Sequence, residues 1–128
     1  NLPGMSVLHF GFDDEHENNP HRPANLSKDR VVYTGTHDND TTMGWWEGAS
    51  AERKVRVAEV GLAGESACDT MMRLAMNSPA PLAIIPIQDV LQLGTDARMN
   101  IPGESIGNWS WQFDWPELSN GNWDGFKR

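Results

Sequence analysis

At 128 residues the chain is one small domain or part of a larger one, and its 38% hydrophobic content is enough for a core. Its 18 acidic against 10 basic residues leave a net charge of -8, which repels polyphosphates and argues against nucleic acid and anionic membranes as partners. The single cysteine, Cys68, excludes an internal disulfide or a cysteine-based zinc site and fits a reducing compartment, with the cytoplasm as the default.

The start, Asn1-Leu2-Pro3-Gly4, has neither an initiator Met nor a signal-peptide pattern, so the chain is expected to begin inside a longer protein, and a plastid origin stays open. No apolar run is long enough to span a membrane. Leu2-Pro3-Gly4 is turn chemistry, and the alternating residues 5–12 read as a first strand ending at Asp13. Residues 13–23 put carboxylates beside imidazoles, as metal sites do. The prolines and asparagines among them mark a solvated loop, however, and the ligand spacing fits no metal pattern.

Val31-Val32-Tyr33-Thr34 opens the informative stretch, a β-branched and aromatic run of the kind that forms a buried strand. Beyond it come Gly35-Thr36-His37-Asp38-Asn39-Asp40-Thr41-Thr42, small polar and ionisable residues. A strand held rigidly in a sheet leaves the first residues past its carboxyl end little positional freedom, which is what a catalytic loop needs. A calcium loop is set aside, because Met43 stands where its glycine belongs and Ala49 where its closing Glu belongs. A metal-dependent phosphohydrolase carries its His-Asp pair on a helix, and 31–36 is a poor helix. The bland alternative, a turn whose Asp and Asn side chains bond nearby backbone, stays open on the residues alone.

After this loop Ser50 is an N-cap candidate for a helix over 51–60 with Val55, Ala58 and Val60 as its apolar residues, stopped by Gly61. A second helix fits 65–76, with a stripe at Ala67, Met71, Leu74 and Ala75, and with Met71, Met72 and Met76 as core filler. Ala83-Ile84-Ile85 reads as a short buried strand, and 87–93 as one or two helical turns. Residues 94–107 are a long loop, and loops of that length usually serve function. Trp109 and Trp111 would share a face in extended chain, either as a sugar platform or as a plug over the core. The order of elements reads as α/β with about three strands, parallel because helices separate the later ones.

The string Tyr33-Thr34-Gly35-Thr36-His37-Asp38-Asn39-Asp40-Thr41-Thr42, with Gly44-Trp45-Trp46 after it, resembles the signature of the 4-alpha-glucanotransferases, also called amylomaltases or disproportionating enzymes. Ten ordered residues are hard to match by accident. The same family order runs through Leu2-Pro3-Gly4-Met5, Val7-Leu8-His9-Phe10, Asn19-Pro20-His21, residues 85–91, residues 97–103 and Gly107-Asn108-Trp109-Ser110-Trp111. Where the family often has a His and an aromatic, this chain has Ala24 and Leu26. Residues 112–128 match poorly and receive no role.

The resemblance implies that residues 1–128 are the C-terminal portion of a (β/α)8 TIM-type barrel, incomplete here because such a barrel needs roughly 250 residues. It also implies transfer of α-1,4-glucan segments to glucose or maltooligosaccharide acceptors, with retention, by a nucleophile and an acid about 5 to 5.5 Å apart. Both of those carboxylates lie upstream of this segment in the family, so the isolated chain is expected to be inactive. By motif match Asp38 is the further catalytic carboxylate gripping sugar hydroxyls, and His37 bonds the same sugar. Strand alternation would send these two to opposite faces, so the strand must have ended before His37, and Gly35 permits the bend. Asn100 is a weaker candidate for substrate contact, balanced against a turn role, and Asn108 reads better as a turn residue bonding backbone. No metal or cofactor is required, and oligomeric state is not legible. The rival readings are an α-glucan hydrolase of the amylase clan and a non-catalytic glucan-binding piece using Trp45, Trp46, Trp109 and Trp111.

Overall fold

The computed structural model describes residues 2–119 and Trp123. Three parallel strands, β1 (Gly4–Val7), β2 (Arg30–Tyr33) and β3 (Leu82–Ile84), form one sheet in the order β1-β2-β3. Gly4 to Val7 pair with Arg30 to Tyr33, and Val31 to Tyr33 pair with Leu82 to Ile84. Helices α1 (Thr42–Glu47), α2 (Ala51–Val60) and α3 (Ala67–Met76) separate β2 from β3, followed by α4 (Ile87–Val90) and α5 (Trp115–Ser119). The central strand buries Val32 completely. Around it Leu8, Phe12, Leu26, Val57, Met71 and Ala75 form the larger core, with Trp45 and Trp46 packed against it.

The first strand is shorter than its alternation suggests, ending at Val7 and turning into a 3-10 segment over Leu8–Phe12. Leu8, His9, Gly11 and Phe12 are all buried, which no alternating strand allows. The turn needs Gly11, because a Cβ there would collide with the His21 carbonyl. The following loop is tied back to the first segment by hydrogen bonds. Asn19 Nδ2 donates to the Phe10 carbonyl at 3.0 Å, and the Val7 N–H donates to His21 Nδ1 at 3.0 Å. Leu26, at one of the positions that departs from the resembled family, fills the core.

Helix α2 occupies the residues expected of it, with the Ser50 hydroxyl accepting the Arg53 N–H. Its buried face is a different one, however. Val55 is 59% exposed, and the inward positions are Arg53, Arg56, Val57 and Val60, at helical spacing. Arg53 lies over the Trp45 ring and Arg56 Nε donates to the Phe12 carbonyl at 2.9 Å, so the two arginines cover apolar surface with their stems while their heads find partners. Helix α3 starts two residues later than expected, at Ala67, because Ser66 and Asp69 form a capping box there. Met71 and Met72 are core filler, but Met76 is exposed, since five residues from Met71 carry it about 140° round the helix.

Helix α1 falls within what reads as loop. Its sequence, Thr-Met-Gly-Trp-Trp-Glu, has poor intrinsic propensity, and it forms because Thr41 caps the Gly44 N–H at 3.1 Å and Trp45 and Trp46 bury against the core. The last strand is Leu82–Ile84 rather than 83–85, and with Leu82 and Ile84 exposed it is the edge strand of the described sheet rather than a buried one. The tail 112–128 contains the short helix α5, while residues 120–122 and 124–128 lie outside the described residues. No helix among the described residues is long and apolar enough to cross a membrane.

Gly11→Ala in the full-length protein should lower the unfolding free energy by about 1–3 kcal/mol, because backbone rather than a flexible side chain occupies the space the methyl would need. Gly94→Ala, where nothing lies within 4 Å, is the control and should stay within about 0.5 kcal/mol of the parent. Urea titration of both decides it, and equal midpoints would remove the packing argument.

Candidate functional site

His37 and Asp38 lie past the carboxyl end of β2, which stops at Tyr33, so both side chains project from loop backbone and not from a strand. They point to one place. His37 Nε2 is 3.3 Å from Asp38 Oδ1, and both side chains are more than half exposed, at 56% and 54%. Gly35 plays a different part from a bend. The His9 ring packs against it so closely that a Cβ would sit 2.6 Å from the His9 Cε1 atom.

The second half of the site comes from the long loop, about 60 residues further along. Asn100 Nδ2 donates to Asp38 Oδ1 at 2.7 Å, and Arg98 donates from Nη2 to the Asp38 carbonyl at 2.8 Å and from Nε to the Asn100 carbonyl at 2.8 Å. Asp38 Oδ2 has no hydrogen-bond partner among the described residues, so one carboxylate oxygen is held and the other is available. Trp109, in the left-handed backbone region at φ 59°, lies against His37 with ring centroids 5.0 Å apart. That turn breaks the shared face expected of Trp109 and Trp111, and Trp111 instead meets Phe113. Asn108 bonds the backbone of Ile101 and Glu104, as a turn asparagine does. Trp45 and Trp46 are packing residues.

Beneath the loop runs a buried polar chain that sequence reasoning missed. Asp89 Oδ2 accepts from Thr34 Oγ1 at 2.5 Å and from Thr42 Oγ1 at 2.8 Å, and Asp89 Oδ1 accepts the Thr42 N–H at 3.2 Å. Thr42 Oγ1 also lies 2.8 Å from His9 Nε2. The one hydroxyl proton of Thr42 goes to Asp89, so His9 must donate from Nε2, which leaves Nδ1 as a buried acceptor without a partner among the described residues. His9 stacks on Trp45 at 4.6 Å with an interplanar angle of 5°. Burial, and secondarily the Arg53 charge, lower its pKa to about 3, so it is neutral at ordinary pH. Burial raises the Asp89 carboxyl above its usual range, opposed by the hydrogen bonds from Thr34 and Thr42. His9, Gly35, His37, Asp40, Asp89 and Arg98 all contribute to one cleft of about 110 Å³. The signal in the sequence was a carboxylate within the apolar run 83–91 and an imidazole within 5–12, since a charge among apolar residues is seldom buried without a partner.

Among the described residues no group of three His, Cys, Asp or Glu is placed to hold a metal ion. What the arrangement offers is the cleft-lining His37 imidazole with an exposed, oriented Asp38 carboxylate and the Trp109 ring beside it. That set can hydrogen-bond and stack on a neutral polyhydroxyl ligand.

Comparison with known proteins places these residues in context. Residues 1–118 match the family model described as 4-alpha-glucanotransferase. The chain is 47% identical over 123 residues to a 4-alpha-glucanotransferase of Synechocystis sp., covering 94% of this chain and 24% of that protein. It is 49% identical over 112 residues to the chloroplastic/amyloplastic 4-alpha-glucanotransferase of Solanum tuberosum, covering 86% of this chain and 19% of that one. Its backbone superposes on the amylomaltase from Streptococcus agalactiae in complex with acarbose with a TM-score of 0.86, at 33% identity, covering 91% of this chain and 24% of that one. The chain therefore spans about a fifth to a quarter of the length of these relatives.

The neutral His9 gives the site a pH signature. In the unfolded chain the imidazole protonates below about 6.5, whereas in the folded protein it resists protonation down to about 3. The unfolded state therefore binds more protons in this window, and stability falls as pH is lowered from 7 to 5, by up to about 1.4 kcal/mol per pH unit once below 6.5. His9→Gln, which titrates nowhere, should lose correspondingly less over the same interval. Chemical denaturation of both proteins at pH 7, 6 and 5 measures the difference, and parallel losses would show that His9 is not the titrating group.

Proposed function

The chain belongs to the 4-alpha-glucanotransferase family, and from that premise we propose that the protein containing it transfers segments of α-1,4-glucan to glucose or maltooligosaccharide acceptors with retention of configuration. In this reading residues 1–128 are one partial domain, the C-terminal portion of a (β/α)8 barrel, and the three parallel strands with their loops at the carboxyl end support it. The nucleophile and the acid come from elsewhere in the protein. A cytoplasmic location, or a plastid one, goes with the bacterial and plant relatives.

The observation that carries the proposal is the state of Asp38. Its carboxylate belongs to the residue between the cleft-lining His37 and Asn39, with Oδ1 tied by Asn100 and Oδ2 left for a ligand. As the glycosidic bond breaks, the sugar ring flattens and gathers positive charge, and a fixed carboxylate on its hydroxyls tightens its grip at that moment. His37 donates to the same sugar, and Asn100 orients Asp38 directly, so it shapes substrate contact through that carboxylate. The acarbose complex of the structural relative is consistent with a glucan-like ligand. Transfer in place of hydrolysis requires the acceptor to outcompete water, and the aromatic Trp109 beside His37 supplies a surface that excludes it.

Maltotriose tests the reaction, because transfer yields glucose plus longer glucans whereas hydrolysis yields glucose and maltose alone. In the full-length protein Asp38→Asn should lower kcat by about a hundredfold or more, roughly 2.7 kcal/mol upward, while the fold survives by circular dichroism. His37→Ala should cost less, since a neutral donor to a hydroxyl contributes less than a charge at the reacting ring. A folded Asp38→Asn enzyme with near-normal kcat would reduce Asp38 to a turn residue.

A further inference from the structure

We propose that Asp89 is a positioning residue for glucan transfer, a buried carboxylate that fastens both ends of the loop displaying His37 and Asp38. The proposal rests on the transferase reading above. Thr34 is the first residue past β2 and Thr42 the first residue of α1, and between them runs the whole of 35–41. Both threonines are fully buried, and both give their hydroxyl protons to the same Asp89 oxygen, while the Thr42 N–H goes to the other. One side chain on α4, 55 and 47 residues away in sequence, thus sets the span across which the loop must fold.

The span is held by further ties, one within the loop and one to Thr95 outside it. Asn39 Oδ1 accepts from the Thr36 N–H at 2.9 Å and from its hydroxyl at 2.8 Å, and Asp40 Oδ2 accepts from Thr95 Oγ1 at 2.9 Å. With its ends pinned, the residues left without freedom are His37 and Asp38, whose side chains face outward to Asn100 and Trp109. An apolar residue at position 89 would leave two buried hydroxyls and an N–H without acceptors, and an asparagine would present an N–H to one of three donors. Only a carboxylate accepts all three. Among the described residues no cation pairs with Asp89, and a buried charge without one is a poor choice for stability alone, which separates this role from simple packing. His9 completes the arrangement by donating to Thr42 Oγ1, which orients that hydroxyl toward Asp89.

The test uses the full-length protein and a double-mutant cycle. Asp89→Asn should lower kcat on maltotriose by about ten- to a hundredfold, with KM within about threefold, because a loop displaced by a fraction of an ångström still binds sugar but meets the transition state poorly. In an Asp38→Asn background the same Asp89→Asn change should cost less than about threefold, since its effect travels through Asp38. Hydrogen–deuterium exchange gives a readout independent of activity. Residues 36–42 should exchange at least about tenfold faster in Asp89→Asn, with α2 and α3 unchanged. A full loss of kcat in the Asp38→Asn background, an unchanged loop, or a uniform rise in exchange across the domain would overturn the proposal. If the unmodified protein transfers no glucan the function reading fails, and the exchange measurement still decides whether Asp89 holds the loop.

Discussion

The interaction on which the rest depends is the three-way acceptance at Asp89. A parallel sheet presents its strand ends as a set, but each end carries backbone groups with nowhere to go once pairing stops. Here the Thr34 carbonyl past β2 accepts the His9 N–H, while one carboxylate takes the Thr34 hydroxyl and the hydroxyl and N–H of Thr42 at the start of α1, tying both ends of a seven-residue loop. The hydrogen bonds are charge-assisted and out of water, so each is stronger than its surface counterpart. The same burial makes the carboxylate costly to keep, and it is balanced by three donors rather than by a cation.

Above this tie the site is assembled from two loops that share no local sequence. Asp38 and His37 come from the first, and Arg98, Asn100 and Trp109 from the second, so the geometry exists only when α4 and the long loop are packed in place. Below it, Gly35, His9, Trp45 and Arg53 lie in a stack, ring on ring with a guanidinium outermost. That stack explains a glycine, a neutral histidine and an arginine-faced helix together. The glycine lets the imidazole approach the loop, and the indole shields it from water. The arginine covers the indole, and its charge helps to keep the imidazole neutral.

The division of labour follows from burial. The polar groups with fixed roles are hidden, at 0–1% exposure for Thr34, Thr42, Asp89 and His9, while those that would meet a ligand are exposed. Rigid support under exposed side chains is the arrangement that limits misplacement at a reacting centre. The net charge of -8 adds that any ligand drawn to this cleft is better neutral than anionic.

Local chemistry by itself determined the features that need only near neighbours. Ser50 and Ser66 cap their helices because a hydroxyl reaches an N–H three residues on, Gly61 ends α2, and a β-branched run next to a Thr-Gly-Thr-His-Asp string marks a strand followed by a polar loop. Tertiary structure alone decided the early end of β1, the helix at 42–47, the inward face of α2 and the roles of His9, Asp89 and Arg98. The reason is the same in each case. A 3-10 turn at Leu8–Phe12 is chosen by the His21 backbone, and a poor helix at Trp45 and Trp46 by the core beneath it. An arginine face is inward because a Phe12 carbonyl and an indole await it. A buried Asp89 is tolerated because three donors from 55 and 47 residues away converge on it, and no window of sequence contains both partners.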